Sequence, residues 1–360
     1  MAGPRQRLGF RSVVAASIVG LLLAPPTFPN HIVMHGGPFG GVVIGLLPHP
    51  AQPDTLYLAA FGSGVYKSLD GGRRWTAASS GLDDLTVLTL AMAPREPAVL
   101  YAGTDSGVFV SRDAGATWRR TGSGASDRNI RSLAVVPGRP TVLYAATDRG
   151  VLWSWDQGAT WAPRSFGSVP RDLRVIRVDP SNPARLFAAG FGGVVRSDDE
   201  GRRWRTASSG LADLRVRALA IDPSRSEVLY AGTAGAGVFT STDGGGRWRS
   251  FNEGLRNLTV LSLLVTLEGE RLAGTVGGVY RRGPGGAAWE LVGEEILTLT
   301  ITFVASSPHR PGTIYAGTGG LLFVSENSGR HWRELAVSVA AAPAPLATSA
   351  AEAHSRNERR

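Results

Sequence analysis

From about residue 41 the chain is written in short apolar runs separated by glycine, proline and aspartate. Residues 87–121 show the pattern: "VLTLAMAP", "VLYAGTD", "GVFVSRD", then "TWRRTG". The runs alternate apolar and polar positions and are rich in Val, Leu, Tyr and Thr, which predicts short half-buried strands. Nothing recurs at helical spacing, and glycine interrupts every run. The same order of four runs comes back all along the chain. Its clearest marker is tryptophan: Trp75, Trp118, Trp161, Trp204, Trp248, Trp289 and Trp332 are spaced 43, 43, 43, 44, 41 and 43 residues apart. A fixed period of this size marks a repeat architecture. Four short antiparallel strands per repeat, seven times over, predict an all-β, seven-bladed propeller of four-stranded blades.

Each of these tryptophans closes a box. Five are complete: "SLDGGRRW" (68–75), "SRDAGATW" (111–118), "SWDQGATW" (154–161), "SDDEGRRW" (197–204) and "STDGGGRW" (241–248). Two are worn, "RGPGGAAW" (282–289) and "SENSGRHW" (325–332). Ser-x-Asp-x-Gly-x-x-Trp resembles the Asp-box, or bacterial neuraminidase repeat. The resemblance covers roughly 300 residues and implies a propeller similar to those of sialidases, two-propeller glucanases, sortilin-type receptors and photosystem II stability/assembly factors. Those families share the turn and not the task, so fold follows from the likeness and function does not.

The residues explain why a box would be structural. Asp70, Asp113, Asp156, Asp199, Asp243 and, in blade 7, Asn327 stand between strands C and D. Such a side chain is expected to accept backbone N–H bonds two residues on, as an Asx-turn, and the following Gly to take positive φ. The tryptophan is expected to fill the wedge between blades. A catalytic group is needed once, whereas this one recurs, and Pro284 replaces it in blade 6 without loss of the repeat. "SDDEG" lacks the alternate acidic spacing of a calcium loop, and the reading requires no metal or cofactor.

In such a meander the A–B and C–D links lie at one end of each blade, and the B–C and D–A links at the other. The second end, free of boxes, is where an axial site belongs. Most of its residues dissolve into the repeat: Asp84, Asp127, Asp213 and Asn257 share one position, and Tyr57, Tyr101, Tyr144, Tyr230 and Tyr315 another. Asp83, Glu253, Glu294 and Glu295 do not repeat and are candidates for paired carboxylates of glycoside cleavage. A sialidase's Tyr–Glu pair and Arg-Ile-Pro sequence are absent. One departure stands out. Arg131, Arg174 and Arg217 occupy one position of strand A in three successive blades, where other blades have Leu88, Leu261 and Thr302; Arg128, Arg171 and Arg215 lie beside them. Guanidinium groups so placed suit bidentate capture of a carboxylate. The alternative is that each stem packs on the next blade with its head in water.

Composition narrows the class little. The 360 residues carry a formal charge of +9, almost all of the basic residues being arginine, with part of the excess in the tails and no dense basic run; nucleic acid ranks low. Cysteine is absent, so disulfides and thiolate metal sites are excluded. Residues 1–30 place Arg5, Arg7 and Arg11 before an apolar stretch from Val13 to Ala24, which predicts a signal peptide or an N-terminal anchor. The expected organisation is therefore an export segment (1–30), the propeller (31–339), with "HIVMH" (31–35) as a possible extra edge strand, and a disordered Ala/Pro-rich tail (340–360). The expected place is periplasmic, extracellular or envelope-anchored, with any membrane contact made by the N-terminal segment alone. The leading functional expectation is a non-catalytic scaffold for a protein or peptide bearing acidic or carboxylate groups. A sialidase-like glycoside hydrolase acting on carbohydrate and a structural adhesion module are the alternatives.

Overall fold

The computed structural model describes residues 41–340 apart from Pro94, 165–168 and 336–337. The export segment, the run 31–35 and the tail beyond 340 lie outside the described residues. Seven four-stranded antiparallel sheets follow one another along the chain. Blade 1 runs from Val42 to Ala77, blade 2 from Val87 to Arg120, blade 3 from Ile130 to Pro163 and blade 4 from Leu173 to Thr206. Blade 5 runs from Val216 to Ser250, blade 6 from Val260 to Val292 and blade 7 from Phe303 to Glu334. The single helical element among the described residues is one 3₁₀ turn, Glu294–Ile296, and no helix there is long and apolar enough to cross a membrane.

The alternation of the sequence becomes packing between blades. Seven apolar clusters fill the seven seams, and each contains one box tryptophan. All seven indoles are buried, from Trp75 at 0% exposed to Trp204 at 6%. Five of them donate Nε1–H to the preceding blade: Trp118 to Ala78 O (2.7 Å), Trp161 to Thr121 Oγ1, Trp204 to Arg164 O, Trp248 to Ala207 O and Trp289 to Phe251 O. Trp75 and Trp332 instead donate to the glycine carbonyl of their own box. In blades 1, 2, 4 and 5 the D–A link crosses the next box tryptophan at close range. Ser80 O accepts from Trp118 N at 2.8 Å, and at Gly81 (φ 86°) a Cβ would stand 2.2 Å from Trp118 O. Only glycine fits there.

The boxes show a longer reach than the sequence suggested. The carboxylates accept mainly from the N–H four residues on: Arg74 to Asp70 (2.8 Å), Thr117 to Asp113, Thr160 to Asp156, Arg203 to Asp199 and Arg247 to Asp243; His331 makes the same bond to Asn327. The box serine reaches equally far, its hydroxyl accepting from the box Gly N–H four residues on, as Ser68 does from Gly72 at 2.9 Å, and it also takes the two-residue step, accepting from Asp70 N at 3.3 Å. The physical reason is that two successive residues turn left-handed, for example Ala114 (φ 56°) and Gly115 (φ 86°), which carries the chain a full loop around the acid. The strand B aromatic of the preceding blade tucks under this loop: Tyr57 donates its hydroxyl to Ala114 O, and Tyr144 to Glu200 O, both at 3.0 Å.

Blade 1 holds one more strand than the sequence reading gave it. Ser338–Ala340 pairs in parallel with Arg74–Ala77 on the outer edge of blade 1. Each blade is still closed by its own four strands, so this segment is an addition at the seam and not an exchange. Thr302 Oγ1 also donates to Val43 O (2.8 Å), and Arg310 pairs with Asp54 (2.6 Å), across the same junction.

Candidate functional site

The three arginines share a local cause. In strand A of blade 4, Leu173 pairs with Gly190 and Val175 with Ala189, so Arg174 is the extra residue of a β-bulge. The registers around Arg131 and Arg217 slip at the same place. A bulge interrupts alternation and re-aims the side chain it carries. Blades 1, 2 and 6 put Ile44, Leu88 and Leu261 on the same kink.

The structure joins the three through two residues that the sequence reading passed over. Asp172, immediately before strand A of blade 4, bonds Arg131 through one oxygen and lies 3.4 Å from Arg174 Nη2 through the other. Phe191, in the B–C turn of blade 4, faces both Arg174 (4.6 Å from the ring centre) and Arg217 (5.4 Å). The heads are therefore not in water: the side chains of Arg131 and Arg174 are only 10% and 15% exposed. Their stems do not simply lie along a neighbour, as the second reading of the sequence had it. Arg131 also holds Asn129 Oδ1 at 2.9 Å, and Asn129 in turn bonds Asp105 of blade 2. The result is a belt across four blades, Asp105–Asn129–Arg131–Asp172–Arg174–Phe191–Arg217.

Positive charge dominates its centre. Arg131 and Arg174 share one carboxylate. Burial lowers the pKa of Arg174, with the neighbouring Arg131 adding to the effect and Asp172 opposing it. Arg217 is brought down to about 10, first by burial and then by Arg174 and Arg215. Arg174 Nε is buried and takes no acceptor from the protein. At the acidic end, burial raises the Asp105 carboxyl, helped by Asp84 and Asp148 and opposed by Arg131. Asp148 Oδ1 is likewise buried without a donor.

The flanking arginines behave differently. Arg215 is exposed and bonded twice to Asp213 (2.9 and 3.0 Å), whereas Arg171 (exposed) and Arg128 (half-buried) have no ion-pair partner among the described residues. The repeated acids cap turns: Asp84 accepts from Thr86 N, Asp213 from Arg215 N and Asn257 from Thr259 N. The irregular acids are not brought together. Asp83 pairs with Arg120 and Glu253 with Arg282, while Glu295 accepts from Trp332 N. No group of three metal-ligating side chains occurs among the described residues.

Comparison with known proteins shows the fold. No family profile and no curated protein sequence matches the chain. An ancestral GH74 enzyme superposes with a TM-score of 0.72 at 20% identity, over 84% of this chain and 47% of that one. A GH74 xyloglucanase from Xanthomonas campestris gives 0.68 at 20% identity, over 84% and 55%. The chain thus spans about half the length of these enzymes. YCF48 bound to D1 peptide gives 0.55 at 19% identity, over 69% of this chain and 80% of that one.

Proposed function

We propose that the chain is an exported, non-catalytic propeller that binds an acidic or carboxylate-bearing peptide at the arginine belt. The carrying observation is that Arg131 and Arg174 divide a single carboxylate between them in a buried setting, beside Arg217. A second carboxylate arriving there meets guanidinium groups already desolvated and held by the bulge, by Asp172 and by Phe191, so little ordering is left to oppose binding. Arg171 and Arg128 at the margin would steer such a ligand in. A solved structure of the same fold, YCF48, holds a peptide, which makes a peptide a reasonable occupant.

The test compares a fluorescent acidic peptide with its Asn/Gln counterpart, against wild type and an Arg174→Gln/Arg217→Gln variant whose melting temperature is checked alongside. A charge-assisted hydrogen bond contributes about 1.5–3 kcal/mol, so each guanidinium lost should weaken the acidic peptide about tenfold or more. Equal binding by the folded variant, or equal binding of the neutral peptide, rejects the proposal.

A second reading rests on Asp105, whose carboxyl is raised beside Asp84 and Asp148. A carboxyl whose pKa is raised beside a second acid is the pattern that glycoside cleavage uses, and GH74 enzymes share the fold. Turnover of xyloglucan that disappears in Asp105→Asn would favour it. Inertness across a glycan panel would remove it.

A further inference from the structure

At the other end of the axis lies a second cationic feature, independent of the belt. Strand A residues paired with the strand B aromatic form a ring around the channel: Leu47, Ala91, Ala134, Arg177, Ala220 and Ala305, with Leu264 paired to Leu272 in blade 6. Six of the seven are aliphatic and one is a guanidinium. The innermost strands of blades 4 to 7 line an open cavity of about 420 Å³ there, reaching the A–B turns at Pro180 and Pro223. That volume falls within the usual range of small-molecule sites, roughly 300–1,000 Å³. Its side-chain lining is mainly aliphatic, including Ile221, Leu264, Val304 and Ala305, with Ser306 polar and Arg177 the one charged residue.

Arg177 has a single protein partner among the described residues, the adjacent Ile176 carbonyl, at 3.0 Å from Nη1. Among the described residues it forms no ion pair. Most of its donors are therefore not used by the protein. Its side chain is exposed to the channel. We infer that the axial cavity binds a monocarboxylate with an aliphatic body, the carboxylate held by Arg177 and the body lying against the aliphatic walls. A phosphate or sulfate alone would satisfy the arginine and leave the walls wet; an alcohol or hydrocarbon would do the reverse.

The test is calorimetric titration of the intact chain with n-octanoate below its micelle concentration, alongside n-octanol and n-octylamine. Expected is saturable binding of one octanoate per chain, with at least tenfold weaker binding of the alcohol and the amine. Arg177→Gln should weaken octanoate at least tenfold, Arg177→Lys should retain part of the affinity, and Ala305→Phe, which fills the cavity, should abolish it. The acidic peptide of the belt should not compete. Absence of saturable octanoate binding, an unchanged affinity in a folded Arg177→Gln variant, equal affinity for octanol, or displacement by the peptide would each overturn the inference.

Discussion

Replacing Trp118 by alanine tests the seam between blades 1 and 2. The indole is 2% exposed, packs with Tyr57, Val65, Leu100 and Phe109, and donates to Ala78 O at 2.7 Å. A buried tryptophan removes about 200 Å² from water, which at ~25 cal/mol per Å² contributes about 5 kcal/mol. Alanine keeps a small part of this and spares about 1 kcal/mol of side-chain ordering. The orphaned Ala78 carbonyl costs about 1 kcal/mol in the other direction. The net loss is about 4 kcal/mol, within the range of roughly 3–5 measured for such truncations. With an unfolding entropy of about 2.1 cal/mol/K per residue over about 300 residues, this lowers Tm by about 6 °C. Differential scanning calorimetry reads the shift directly. Trp155→Ala is the control, since this side chain is 48% exposed and lies outside the seams; it should cost no more than about 1 kcal/mol. A Trp118→Ala protein that melts with wild type, or a Trp155→Ala protein that melts as low as it, would refute the account of the wedge.

Gly210→Ala should destabilise by about 2 kcal/mol or more in urea titration, because φ is 91° and the new Cβ would meet Trp248 O at 2.2 Å. Asp172→Asn should lower stability by about 1–3 kcal/mol, by leaving two buried guanidinium groups short of a counter-charge. The same variant should bind the acidic peptide more tightly, and looser binding would contradict the picture of the belt. Asp113 is held down to about 2 by the hydroxyl and N–H of Thr117 and by Ser111. A depressed carboxyl stabilises fully above its unfolded value near 4 and loses that contribution as pH falls through about 2. Acid titrations of stability should therefore show loss confined to that window and a shallower fall for Asp113→Asn, whose amide oxygen can accept as Asn327 does. Solvent screening keeps this single site's share below about 1 kcal/mol.

The blades were legible because one tryptophan per period is buried for one reason, seven times over. The range of the box acid was misjudged because sequence shows which group accepts a bond and not how far the chain winds before offering a donor; the left-handed Ala114 is invisible in its letter. The arginines were found as departures from the repeat. Asp172 and Phe191 are departures too. Asp172 stands where other blades have Thr86, Asn129 and Arg215, and Phe191 where Asp105, Asp148 and Ala234 open the B–C turn. The same comparison of neighbouring columns holds the signal for both, and for Arg177. What sequence could not offer is the bulge, which alone determines that these side chains gather under cover and not along a wall.

The pairing of Ser338–Ala340 with blade 1 has a mechanical corollary. Val42–Pro48 and Ser338–Ala340 are the two outermost rows of one five-row sheet. Tension between the chain's two exits would run across that sheet at right angles to its strands, opening its hydrogen bonds one row at a time. The other six sectors would feel nothing until this one parted, which makes the first blade the ring's clasp and its point of yield.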